Sequence, residues 1–153
     1  GDVTVQGMPF YTGNLEYCFE ITIREKGDYY LRIPDFCAPL ISVSADGYKK
    51  ELIAYAPHRA FLGELNEGGH RIVVTLYGNR FNGFGMLHNA NKNYVWYGNG
   101  SYRTQGSEWT DEYMLRPVGI LSQIVIEKAK MTFDGLKGLA AGEPRQESRC
   151  RMK

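Results

Sequence analysis

The feature that most constrains the fold is an alternation of period two. In Leu15-Glu16-Tyr17-Cys18-Phe19-Glu20-Ile21-Thr22-Ile23 the odd positions are apolar and the even positions mostly polar. Successive side chains of a strand point to opposite faces, so this run predicts a half-buried antiparallel strand; a helix would need an apolar period near 3.6. The same signal recurs along the chain. A turn is predicted at Gly27-Asp28, followed by a strand over residues 29–33. Leu40-Ile41-Ser42-Val43-Ser44 alternates again and ends at Asp46-Gly47, a hairpin signal because both residues tolerate positive φ. Residues 50–55 are the expected partner strand. Residues 62–69 read as a loop or short turn, and residues 70–77 form the most β-branched run in the chain. Regular structure is expected to resume at Tyr113-Met114-Leu115 and again over 120–127, with no helix longer than a turn or two before residue 128. Short strands separated by turns, without intervening helices, predict an all-β sandwich or barrel. The candidate core is Leu15, Tyr17, Phe19, Ile21, Leu31, Ile33, Ile41, Val43, Ile72, Val74, Leu76, Ile124 and Ile126.

At 153 residues the chain fits one domain. The expected division is a β-sandwich over 1–137 and a polar, flexible C-terminal tail over 138–153. With 18 Lys and Arg against 17 Asp and Glu, there is no general pull toward nucleic acid or an anionic membrane. No apolar run approaches the ~20 residues of a membrane helix. The chain opens Gly1-Asp2-Val3 without an initiator Met, and we expect an excised piece of a longer protein. Cys18, Cys37 and Cys150 form no CxxC pair. Cys18, inside the first strand, is expected to act as a small buried hydrophobe, and a Cys18–Cys37 disulfide is left open.

Between residues 78 and 106 the character changes: six of the eight Asn fall here among Gly and aromatics, with no sustained alternation. A long loop of this kind is functional or held by a partner. The candidate carbohydrate-binding or docking residues are Arg80, Asn82, His88, Asn89, Trp96, Tyr97, Asn99, Tyr102, Arg103 and Trp109. Aromatic rings match the C–H face of a sugar, and Asn and Arg groups match its hydroxyls. The same rings, with Pro9-Phe10-Tyr11, equally suit docking on a neighbouring domain.

No catalytic residue is assigned. The chain has no GxSxG elbow, P-loop or dinucleotide fingerprint. Glu108, Asp111 and Glu112 lie near the loop region, and Glu108 and Glu112 are better placed to flank a strand start than to form the acid/base pair of a glycosidase. His58, His70 and His88 lack metal-ligand spacing, and His70 is expected to cap or pack. No cofactor is expected, while a metal site stays undetermined because loop carbonyls can hold a structural calcium without a sequence signature.

The order of several motifs resembles the galactose-binding-domain-like jelly rolls appended to bacterial glycoside hydrolases, including the sugar-binding domains of glycoside hydrolase family 2. Pro39-Leu40-Ile41-Ser42-Val43 with Asp46-Gly47 is similar to that family's strand ending in [ND]-G. Leu62-Gly63-Glu64-Leu65 leading into Gly68-Gly69-His70-Arg71-Ile72-Val73-Val74 is similar to its L-x-x-G-x-H/N-x-I-x-V run, and Tyr113-Met114-Leu115-Arg116-Pro117-Val118-Gly119-Ile120-Leu121-Ser122-Gln123-Ile124 to its closing L-x-P-x-G-L-x-x-x-V segment. The resemblance covers about residues 8–128 and transfers no binding residue. It implies a jelly-roll β-sandwich that is a non-catalytic accessory domain of a larger, secreted or cell-surface bacterial enzyme. Its implied partners are a glycan, the catalytic domain of the same polypeptide, or both. The competing expectation is a protein–protein interaction module with no sugar binding.

Overall fold

A computed structural model of the chain describes residues 1–91, 93, 98–102 and 105–129. Nine strands lie among these residues. They are β1 (Leu15–Ile23), β2 (Gly27–Arg32), β3 (Phe36–Cys37), β4 (Leu40–Ala45), β5 (Glu51–Ile53), β6 (Arg59–Leu65), β7 (Gly68–Tyr77), β8 (Gly119–Ile120) and β9 (Val125–Lys128). The longest α-helix among the described residues, α1, is the single turn Phe81–Phe84. No described helix is long and apolar enough to cross a membrane.

The strands form antiparallel sheets ordered β1-β7-β4-β5, β6-β2-β9 and β3-β8. β7 is central to the larger sheet, pairing Leu15 with Leu76 on β1 and Val43 with Val74 on β4. In the second sheet Leu31 lies between Ala60 and Ile126. One apolar cluster joins the inner faces of both sheets, with Leu31, Ile33, Ile41, Val43, Ile72, Val74 and Leu76 fully buried. Leu15, Tyr17, Phe19, Ile21, Ile124 and Ile126 pack partly buried against them. Every position of the candidate core therefore lies in the cluster, because the period-two rule alone decides which face of a strand looks inward. The molecule is all-β and sandwich-like.

The turn of the β4–β5 hairpin has Asp46 at φ 51° and Gly47 at φ 76°, the paired positive angles its sequence predicts. Tyr48 N–H donates to Ala45 C=O at 2.9 Å to close it. The turn is also fastened from outside. Asp46 accepts the Arg71 N–H on Oδ1 at 2.8 Å and the His70 ring on Oδ2 at 2.6 Å. The other ring nitrogen of His70 bonds the Asn66 carbonyl at 2.8 Å. His70 thus ties together two turns, a structural role of the packing kind the sequence suggests.

Several expectations are corrected. Residues 62–69 are not a loop: Leu62 to Leu65 complete β6, Gly68 and Gly69 open β7, and Asn66-Glu67 alone turn between them. The alternation is hidden by a bulge, since Tyr29 pairs with Gly63 and Tyr30 with Phe61, leaving Leu62 extra. Gly63 takes φ +96° there, which favours glycine. Gly27 and Asp28 are strand, paired with Leu65 and Glu64, rather than a turn. Tyr113-Met114-Leu115 forms no strand; Met114 N–H makes one backbone bond to Leu87 C=O at 2.6 Å. Cys18 is exposed, not buried, because it occupies an even, outward position of β1, and no disulfide joins it to Cys37. The expected tail, and the boundary before it at 137, lie outside the described residues.

Candidate functional site

The described residues between Gly78 and Val118 follow the end of β7 and are held by specific polar contacts. Gly78 passes so close to the backbone of Thr12 and Gly13 that a Cβ would collide with both carbonyls. Asn79 Oδ1 accepts the Phe81 N–H at 2.9 Å and starts α1. Asn82, 1% exposed, uses both ends of its amide on one residue. Its Nδ2 donates to Arg116 C=O at 2.8 Å and its Oδ1 accepts Arg116 N–H at 2.9 Å. The Arg116 guanidinium stacks 3.9 Å over the Phe81 ring. Further along, two extended stretches run antiparallel. Thr110 N–H donates to His88 C=O and Ala90 N–H to Glu108 C=O, each at 2.9 Å, around a bridge pairing Asn89 with Trp109.

These contacts bring aromatic rings into a row. Phe10 meets Tyr113 edge-on at 5.0 Å between centroids, Tyr113 meets His88 at 4.8 Å, and His88 stacks on Trp109 at 5.5 Å with planes 22° apart. The His88 ring is held by a 2.9 Å bond from Nδ1 to Thr110 C=O, so that nitrogen carries the proton. Beside the row, Tyr102 Oη donates to Phe84 C=O at 3.3 Å. Phe84 (71%), Tyr102 (60%) and Tyr113 (55%) are largely exposed, as is Phe10. Exposed aromatics gathered at one end of a sandwich make a surface able to bury substantial apolar area.

The residues singled out from the sequence divide into four groups. His88, Tyr102 and Trp109 join the aromatic surface. Arg80 and Asn99 are exposed, at the start of α1 and in the 3-10 turn Asn99–Ser101. Asn82 and Asn89 are buried, Asn82 as the clamp on Arg116 and Asn89 accepting Asn91 N–H at 3.4 Å. Trp96, Tyr97 and Arg103 lie outside the described residues. Phe84 and Tyr113 join the surface without being candidates from the sequence: Phe84 lies between two glycines outside any alternating run, and Tyr113 falls where a strand is expected. Asp111 and Glu112 are exposed on the arm that carries Trp109. No group of three His, Cys, Asp or Glu side chains that could hold a metal ion occurs among the described residues. Comparison with known proteins finds no family model that matches the chain and no curated protein that matches it.

Proposed function

We propose that the chain is a non-catalytic ancillary domain of a larger bacterial glycoside hydrolase, secreted or held at the cell surface, built as a galactose-binding-domain-like jelly roll. Its aromatic end face engages the catalytic domain or a glycan. The observation that carries this reading is the continuous row Phe10–Tyr113–His88–Trp109, flanked by exposed Phe84 and Tyr102. Rings presented this way suit both flat apolar partner surfaces and sugar faces. The polar half of the chemistry tips the balance toward docking. Sugar recognition needs amides aimed outward at hydroxyls, and Asn82 and Asn89 are buried instead. That same fact favours, as a second reading, a protein-interaction module with no sugar ligand.

The test uses the double variant Phe84→Ala/Tyr102→Ala, whose side chains are exposed and whose loss leaves the core intact. Isothermal titration measures binding of the chain to the adjacent catalytic domain of its parent protein and to a glycan panel. The expected result is at least tenfold weaker binding to the catalytic domain in the variant, with unchanged thermal unfolding. Binding to an unrelated protein domain alone would support the interaction module. No effect of the variant on any partner would remove the aromatic face from the function.

A further inference from the structure

The end of the molecule opposite the aromatic face holds a cavity. Tyr77, at one end of β7, leads into the aromatic segment, and Gly68 begins the strand at the other end. Ten strand residues at ~3.3 Å each separate those ends by roughly 30 Å. At the Gly68 end, the β4–β5 hairpin and the edge strand β6 stand apart around a half-open cavity of about 540 Å³. Small-ligand sites commonly enclose about 300–1,000 Å³. Tyr48, Lys49 and Glu51 line it from the hairpin, and Phe61, Glu64 and Asn66 from β6 and its turn.

Both sides are set before any ligand arrives. His70 joins Asp46, in the hairpin turn, to the Asn66 carbonyl, in the turn after β6, at 2.6 and 2.8 Å. Asp46 is fixed further by Arg71, which accepts its N–H and donates to its Oδ1, both at 2.8 Å. The bulge at Gly63 adds room, because a Cβ there would meet no protein atom within 4 Å. A preformed cavity spares a ligand the cost of ordering its walls.

The lining selects the ligand class. Tyr48 and Phe61 are 77% and 43% exposed, so each offers ring surface to an occupant. The carboxylates around the cavity are each matched by a cation: Glu51 by Lys49 at 2.8 Å, Glu64 by Lys26 at 3.3 Å and Asp46 by His70 at 2.6 Å. Lys26 stands outside the lining, so the cavity wall itself sets three carboxylates against Lys49 and His70, and a phosphate finds no excess of positive charge there. Ion-paired carboxylates keep lone pairs that accept hydroxyl donors, and an ammonium keeps spare donors. Aromatic surface beside these acceptors and donors fits a ligand with an apolar C–H face and a rim of hydroxyls. We propose that this cavity binds a neutral saccharide, with Phe61 and Tyr48 against its ring faces and Glu51, Glu64 and Lys49 on its hydroxyls. The proposal rests on the carbohydrate-associated reading above and divides the tasks, with sugar at the hairpin end and docking at the aromatic end.

Amide chemical shifts of the intact chain, followed during titration with neutral oligosaccharides of glucose, xylose, mannose and galactose, test it. The expected result is saturable shifts at Gly47, Gly63 and Asn66. Affinity falls at least tenfold in Phe61→Ala and in Tyr48→Ala and is unchanged in Val5→Ala, an exposed position outside the cavity lining. Phe61 also touches Tyr30, with centroids 5.0 Å apart, so the solvent-facing Tyr48→Ala carries the test if Phe61→Ala unfolds. Saccharide binding that shifts amides at the aromatic end, or that survives Tyr48→Ala, overturns the cavity assignment and leaves the ancillary reading standing. The absence of saturable shifts with every saccharide overturns it too, while weakened docking in the aromatic double variant would still uphold the bracing function.

Discussion

His70 donates from both ring nitrogens, to the Asp46 carboxylate and to the Asn66 carbonyl, and two donors on one imidazole require the protonated ring. The hydrogen bond to Asp46, then the Asn66 carbonyl, hold its pKa above the ordinary value of 6.5. Asp46 is held below 3.8, chiefly by the His70 hydrogen bond; burial pushes the other way, and the Arg71 N–H adds to the lowering. The two shifts act at opposite ends of the pH scale. A raised His pKa adds stability that is complete below the unfolded value near 6.5 and is lost as pH rises through the folded value. A lowered Asp pKa adds stability that is complete above the unfolded value near 3.8 and is lost as pH falls through the folded value. The latch therefore contributes most between about pH 4 and 6.5. The thermal midpoint of the native chain should decline from pH 6.5 toward 8.5 relative to that of Asp46→Asn, which keeps the turn geometry and removes the charge. A constant difference between the two melting curves across that range would show that the imidazolium does not hold the turns.

At the scale of elements, what a strand or loop needs from its neighbours decides how much of it the sequence discloses. β1, β4 and β7 carry their period in the residues themselves, and each appears where alternation or a β-branched run predicts it. β6 does not, because the bulge at Leu62-Gly63 shifts the pattern by one residue and turns a strand into an apparent loop. The aromatic segment was legible as a composition and not as a geometry. Asn82 and Asn79 look alike in sequence, yet Asn82 clamps Arg116 while Asn79 accepts the Phe81 N–H just ahead of α1. The cavity at the hairpin end was illegible for a related reason: Tyr48, Phe61 and Asn66 come from separate segments whose approach depends on the pairing of β4 with β7 and β2 with β6. The clamp is directly testable. Asn82→Ala removes two hydrogen bonds from a buried position and should cost about 1–3 kcal/mol of stability. It should also speed hydrogen exchange at the Arg116 amide, whose N–H then loses its 2.9 Å acceptor. A variant with native exchange at that amide would assign the hold on the segment to the stacking of Arg116 on Phe81.

Over the whole molecule, β7 is the element both ends share: His70 lies near its start, and the segment that Asn82 clamps follows its end. Between them stands the apolar cluster of Ile72, Val74 and Leu76, all essentially buried. Two mechanical expectations follow from that layout, and they are separable. Substitutions more than ~7–10 Å apart with no shared partner add their effects within about 0.5 kcal/mol. A single cooperative core, however, makes both ends report to the same global unfolding. In urea melts His70→Ala and Asn82→Ala should each lower the midpoint, and the double variant should show the sum. All four chains should keep the same denaturant slope, since the same surface is exposed when one core unfolds. A coupling well above 0.5 kcal/mol would mean that β7 transmits strain between the hairpin end and the aromatic end. A fall in slope confined to Asn82→Ala would mean that the aromatic segment comes loose before the sandwich does. Additive midpoints with a common slope would make the two ends independent sites on one rigid scaffold, the arrangement that lets one end dock without altering what the other binds.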